Sequence, residues 1–384
     1  MKKNLLPVIL IAGLIVLGVF LYNQDASKTK KSADNQIKIG IILGFTGPIE
    51  SLAPVMAKSA ELAIDEVNKS GNFMDGAQLK AVRADSTCVD AAAAQAAAER
   101  LITSDKVSAI MGADCSGVTT AVLKNVAIPN GILMISPSAT SPALSTEPDN
   151  DLFFRTAPSD ARQGEVIADL LMEKGFKTAA LTHTNNDYVK GLAASIKSNY
   201  EAKGGTITIS ASHEDGKGDY SSEVAALAQA SGDILIVAGY LDQGGKGIIQ
   251  ASLDADAFNK FFLPDGMIGD SLPKAIGPDL NGSIGSVPGT DSPGAAKYSE
   301  LAKAAGFESG PYGPESYDAA ALIMLAMEAA KSTDSNVFKN NVMDIANAPG
   351  EKIYPGELSK ALKLIKEGKD IDYVGATALE LVGS

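Results

Sequence analysis

The stretch IKIGIILGFTGPIESLAPVMAKSAELAIDEVN, residues 37–68, holds two hydrophobic rhythms one after the other. IKIGIIL (37–43) is a nearly unbroken apolar run of strand length, as expected of a strand covered on both faces. Beyond a turn rich in Gly and Pro, VMAKSAELAIDEVN (55–68) sets Met56, Ala60, Ala63 and Val67 on one stripe at helical spacing. A buried strand leading through a short loop into an amphipathic helix opens a β-α-β unit, so this stretch predicts an α/β fold.

The alternation continues outward. LKAVRAD (79–85), VSAIMG (107–112) and GILMIS (131–136) read as strands. DAAAAQAAAERLI (90–102), with Asp90 as its cap, and GVTTAVLKNVAI (117–128) read as helices. This order predicts a parallel sheet with helices on both faces. A second round follows. Strands are expected at KTAALTHT (177–184), TITISAS (206–212), GDILIVAG (232–239) and KFFLPDG (260–266). Helices are expected at 161–175, 188–205, 221–231 and 243–255. ESYDAAALIMLAMEAAKS (315–332) is a long apolar helix near the end. With 384 residues the chain exceeds the roughly 250–300 that one core serves, so two lobes are expected, each with its own parallel sheet.

The N-terminus stands apart. Lys2 and Lys3 precede an apolar run of 18 residues, Leu5 to Tyr22, followed by a polar tether to residue 36. This pattern is an export signal or an N-terminal membrane anchor, with the body on the extracytoplasmic side. Beyond residue 36 the body carries 28 basic and 44 acidic residues. Such an excess of negative charge argues against nucleic acid and anionic membranes as partners. Cys88 and Cys115 are the two cysteines. In an exported body they predict one disulfide. A nucleophilic cysteine would want a histidine partner, and neither His183 nor His213 stands in a recognisable catalytic context.

Motifs of catalysis are missing. GGKG (244–247) lacks the hydroxyl of a phosphate loop, and GFTGP (44–48) stands where a dinucleotide fingerprint would be. No G-x-S-x-G elbow is present. Two histidines and two cysteines, well separated, make no zinc site of the usual kind. The expectation is a non-catalytic protein without cofactor or metal.

Open α/β sheets bind ligands beyond the carboxyl ends of their strands, and here those ends are polar. GADCSGVTT (112–120) puts Ser116 at a helix start, and Ser138 and Thr140 follow the fourth strand. Tyr188 follows the strand holding His183, Tyr240 and Asp242 follow GDILIVAG, and Asp265 follows FFLP. A hydroxyl with free backbone N–H groups suits a small carboxylate. Carbonyls, Thr oxygens and an Asp suit an ammonium. The kit fits a zwitterion, although Ser116 also reads as a plain helix cap and Asp265 as a turn residue.

At these residues the chain resembles the type I periplasmic substrate-binding proteins of branched-chain amino-acid ABC transporters, the leucine/isoleucine/valine-binding family. GFTGPIESLAPVMAKSAELAIDEVN (44–68), the spaced cysteines, GADCSGVTT and ILMISPSATSPALS (132–145) carry the resemblance. So do FFRTAPSDARQG (153–164), TNNDYVKGLA (184–193) and ESYDAAALIMLAM (315–327). The resemblance implies that Ser116 and the Thr140 N–H take the ligand carboxylate. The Ser138 carbonyl, the Thr140 hydroxyl and Asp265 would take its ammonium. Tyr188 would close over it from the second lobe, with Tyr240 as a further contact. The ligand would be an amino acid, and a membrane permease with its ATPase would receive it from a monomeric periplasmic or extracytoplasmic receptor, cleaved or held by residues 5–22. Residues 37–157 and 288–355 would form lobe 1 and 158–287 with 356–384 lobe 2, the last stretch being open to either. Leu52 stands where relatives carry a Trp beside the side-chain pocket, and the sequence ends at ALELVGS where relatives continue into another strand. Other readings stay open: a ligand sensor for a receptor, an enzyme on two lobes, or a receptor for an amide or other small carboxylate. Glu50 and Asp242 near the cleft would suit a cationic side chain.

Overall fold

The computed structural model describes residues 36–382. The first sheet is built from β1 (Gln36–Leu43), β2 (Gln78–Asp85), β3 (Ala109–Gly112), β4 (Met134–Ser136) and β5 (Phe153–Arg155). Its order is β2-β1-β3-β4-β5, with every pair parallel. The second is built from β6 (Thr178–Thr184), β7 (Thr206–His213), β8 (Ile234–Ala238), β9 (Phe261–Leu263) and β10 (Ile284–Gly285). Its order is β10-β9-β8-β6-β7, again parallel throughout. Residues 39–43 of β1 are all buried, because helices cover both faces of the sheet.

The main helices are α1 (Ala53–Ser70), α2 (Ala91–Thr103), α3 (Ser116–Val122), α4 (Asp160–Glu173) and α5 (Asp187–Ala202). They continue with α6 (Ser221–Ala230), α7 (Gly244–Asp254), α8 (Pro293–Ala304), α9 (Gly313–Ala330) and α10 (Leu358–Lys366). Met56, Ala60, Ala63 and Val67 form the buried stripe of α1, as their spacing predicts. Asp90 caps α2, its carboxylate accepting from the N–H groups of Ala92 and Ala93. The helix expected over 117–128 is not uniform. α3 gives way to a π turn at Leu123–Ala127 and a last turn at Ile128–Asn130. Pro129 explains this: it has no N–H, and its ring needs room where the carbonyl four residues back would lie.

α9 is buried almost all round, from Gly313 to Glu328, and packs on α1 and on strands β3 and β4. A helix without a polar face belongs inside a core, and this one fills the first lobe. The sequence from 356 onward, grouped above with lobe 2 but left open to either, packs against α1 and α9 through α10. Asp318 of α9 accepts from the Ala376 N–H at 2.8 Å, the Thr377 N–H at 2.9 Å and the Tyr373 hydroxyl at 2.8 Å. A buried carboxylate satisfied in this way holds the closing segment in place.

β5, β10 and the small pair β11 (Glu351–Ile353) and β12 (Ile371–Tyr373) were not legible in sequence; two or three residues carry no periodicity. The chain passes from the first sheet to α4 through residues 156–159 and returns from β10 through 286–292. These crossings lie side by side with Thr377–Glu380 along one groove. The apolar run at 5–22 lies outside the described residues. Among the described residues no helix is long and apolar enough to cross a membrane.

Candidate functional site: a cavity between the lobes

The loops leaving the carboxyl ends of the two sheets line one small cavity of about 30 Å³, tight around its lining side chains and partly open to solvent. Ile49, Leu52 and Met56, from the loop after β1 and the start of α1, make an apolar wall. Ser116 and Ser138 stand beside it on the first lobe. Tyr188, Tyr240 and Asp265 face them from the second lobe, and Tyr312 enters ahead of α9.

Each polar residue has a reason for its place. Gly112 ends β3 with φ +120°, where an added Cβ would lie 2.2 Å from the Ile42 carbonyl oxygen. Only glycine fits there, and the chain then turns into Ser116. Cys88 and Cys115 form the expected disulfide, with Cα atoms 5.2 Å apart, tying the loop after β2 to the entry of α3. The Ser116 hydroxyl accepts from the Ser141 N–H at 3.1 Å, which leaves its own proton to donate. Ser138 donates its hydroxyl to the Asp114 carbonyl at 3.1 Å. That holds the loop after β4 against the loop after β3.

Asp265 is the chemical centre of the opposite wall. It is 3 % exposed. One carboxylate oxygen accepts from the Tyr188 hydroxyl at 2.7 Å, and the other accepts from the Tyr312 hydroxyl. Tyr188 stacks on Tyr240, their centroids 5.5 Å apart. Burial pushes the Asp265 carboxyl above the usual range, while the two tyrosine hydroxyls pull it back. Burial, and next the charge of Asp265, also drives the Tyr188 and Tyr312 hydroxyls well up, so both remain donors.

Five of the six residues singled out from sequence therefore line this cavity. Thr140 stands just behind the wall, 2 % exposed, its hydroxyl without a partner. Asp242 does not face a ligand. Its carboxylate accepts from the Ser51 N–H at 3.0 Å and the Ser271 hydroxyl at 2.6 Å, and its N–H donates to the Pro48 carbonyl at 3.2 Å. Asp242 is a clasp between the lobes, which corrects the expectation that it would suit a cationic side chain; Glu50 beside it is exposed. Leu52 reaches over the same gap: a Cβ on Gly269 would sit 3.0 Å from its side chain. Tyr312 was missed in sequence. Its only signal was the punctuated run GPYGP (310–314) ahead of a long helix.

The comparisons point one way. The periplasmic binding protein family matches over residues 36–347. The chain is 30% identical over 339 residues to "Leu/Ile/Val-binding protein homolog 1" of Brucella melitensis, covering 87% of this chain and 86% of that one. It is 29% identical over 260 residues, 67% of each chain, to the "Leucine-, isoleucine-, valine-, threonine-, and alanine-binding protein" of Pseudomonas aeruginosa. Among solved structures, the branched-chain amino-acid transporter substrate-binding protein LivJ of Streptococcus pneumoniae, in complex with isoleucine, superposes with TM-score 0.72 at 27% identity, over 82% of this chain and 89% of that. A solute-binding protein of an ABC transporter from R. palustris, in complex with 4-hydroxybenzoate, shares the fold with TM-score 0.68 at 20% identity, over 80% of this chain and 85% of that.

Proposed function

The chain belongs to the type I periplasmic binding proteins of the branched-chain amino-acid family, and from that premise we propose that it is an extracytoplasmic receptor for an amino acid with a small apolar side chain. Members of this family bind solutes and are not enzymes. The observation that carries the reading is Asp265, a carboxylate buried in the wall of the cavity that the Ser116 hydroxyl also lines. A buried carboxylate calls for a cation and a hydroxyl can serve an anion, so the pair suits a zwitterion. Ile49, Leu52 and Met56 leave an apolar place for the side chain. A benzoate would bring no cation to Asp265, so the acidic wall disfavours it.

A ligand touching Ser116 on one lobe and Asp265 on the other makes all its contacts only in the closed form, and it shifts the protein toward closure by that difference. The closed form would then deliver the ligand to a membrane permease with its own ATPase. Calorimetry checks the site. Ser116→Ala and Asp265→Asn should each weaken amino-acid binding by about 10- to 100-fold, the loss of one charge-assisted hydrogen bond at roughly 1.5–3 kcal/mol. Unchanged affinity in both variants refutes the assignment. The ligand itself would emerge from a thermal-shift screen of the amino acids, benzoates and short amides. A true ligand at 100 times its Kd adds about 2.7 kcal/mol of stability.

A further inference from the structure

Asp160 has no place in the binding scheme above, yet its surroundings are unusual. It opens α4 at the point where the chain enters the second lobe, and it is completely shielded from solvent. Neither of its carboxylate oxygens has a hydrogen-bond partner. The Thr140 hydroxyl is in the same condition, and the two residues are tied together by the Asp160 N–H, which donates to the Thr140 carbonyl at 2.9 Å. Asp160 is an acid of the first turn of α4, behind its cap Ser159.

The charged and titratable groups facing Asp160 come from several elements. Asp265 is the acid whose charge acts on it. The hydroxyls of Tyr188, Tyr240 and Tyr312, all in the cavity wall, lie within the reach of its charge. Arg155 is the cation of the group. Its guanidinium is turned elsewhere, donating to the Ala139 carbonyl at 3.1 Å, the Ser141 carbonyl at 2.9 Å and the Ser145 hydroxyl at 2.6 Å. One corner of the cavity is thus backed by two buried acids, and the side-chain donor beside Asp160 is the Thr140 hydroxyl, which draws its carboxyl down without making a close hydrogen bond. Buried acceptors left in this state are the complement of something that brings donors and positive charge.

We propose that Asp160 is a positioning residue for the cationic pole of the ligand, aiming the Thr140 hydroxyl at the ammonium and adding a second negative charge behind Asp265. This rests on the amino-acid reading of the site. Its function is to discriminate: it favours a ligand that carries an amine over the same skeleton without one. Burial, and next the charge of Asp265, hold the Asp160 carboxyl well above its ordinary range. An ammonium beside the pair lowers it again, so any proton the pair holds leaves when the amine binds, and affinity for the amine rises with pH across that titration.

The test uses the intact receptor. Leucine, isoleucine, valine and alanine are titrated calorimetrically against wild type, Asp160→Asn, Thr140→Val and the double variant, in two buffers of different ionisation enthalpy. 4-Methylpentanoate, 3-methylpentanoate, 3-methylbutanoate and propanoate are the amine-free partners. The proposal expects Asp160→Asn to lose at least 10-fold in affinity for the tightest amino acid. Proton release should fall toward zero, with no loss for the amine-free acid or no measurable binding of that acid by either protein. Thr140→Val should lose part of the same selectivity, and the double variant less than the product of the two losses. Unchanged amino-acid affinity in Asp160→Asn, equal losses for both ligand sets, or unaltered proton release overturns the proposal while leaving the amino-acid reading in place. A wild type that binds benzoate and none of the amines overturns both. If Asp160→Asn fails to melt cooperatively, Thr140→Val alone decides: loss of the amine preference supports the proposal, and an intact preference overturns it.

Discussion

Gly266 shows how closely the cavity wall is fitted. A Cβ there would come within 2.6 Å of the Gly239 carbonyl oxygen and 3.0 Å of the Tyr188 hydroxyl. Gly266→Ala should push Tyr188 off Asp265 and weaken ligand binding by at least 10-fold while the far-ultraviolet circular dichroism stays native; an unchanged Kd would contradict this. His213 is informative in another way. Its ring lies between the Thr182 hydroxyl at 2.8 Å and the Thr184 hydroxyl at 3.2 Å, and burial lowers its pKa from 6.5 to about 4. Below pH 6.5 the unfolded chain protonates this group and the folded one does not, so stability is lost as pH falls from 6.5 to about 4. His213→Gln should remove that slope, worth up to about 3 kcal/mol, in denaturant titrations across the window. At this scale the residues at strand ends were legible, because apolar runs show where strands stop. Tyr312 and Asp160 were not. Their partners are set by how the chain returns between the lobes, and no local pattern records that.

Among the elements, the long strands and helices followed directly from hydrophobic period. The short strands β5, β10, β11 and β12 did not, and neither did the widened turn that Pro129 imposes at the end of α3. The segment after 356, open to either lobe in sequence, could not be placed for a related reason. α10 is amphipathic, and its apolar face fits any open surface; what decides is Asp318, buried in α9, waiting for the N–H groups of Ala376 and Thr377. The link between the β2 loop and α3 is the element-scale feature most open to test. Cys88 and Cys115 close a loop of 27 residues. Their joint replacement by Ser should lower stability by about 3–4 kcal/mol, read from urea unfolding of wild type and variant, with a matching fall in wild type under reductant. A loss below about 1 kcal/mol would mean that the loop is already ordered without the link.

For the whole molecule, the two lobes are also joined by contacts outside the cavity wall. Asp242 joins the second lobe to Ser51 and Pro48 of the first, and Leu52 lies over Gly269. Asp242→Ala should raise Kd about 5- to 30-fold, the effect of one or two lost hydrogen bonds, chiefly through faster dissociation. Small-angle scattering of the empty variant should show a larger radius of gyration than wild type. An unaltered radius and Kd would mean that the clasp adds nothing to closing. The two-lobed architecture was legible from length and the repeated alternation; the clasp was not, since it pairs loops nearly 200 residues apart. α9 has a further bearing, on the order of events at birth. The first sheet is written by residue 155, but the rod that fills its lobe is not translated until residue 330. Until then the amino-terminal half lacks the helix that completes its core, and pairings so distant in sequence form slowly. A chain built like this reaches its final rigidity only once the last third of its sequence has been made.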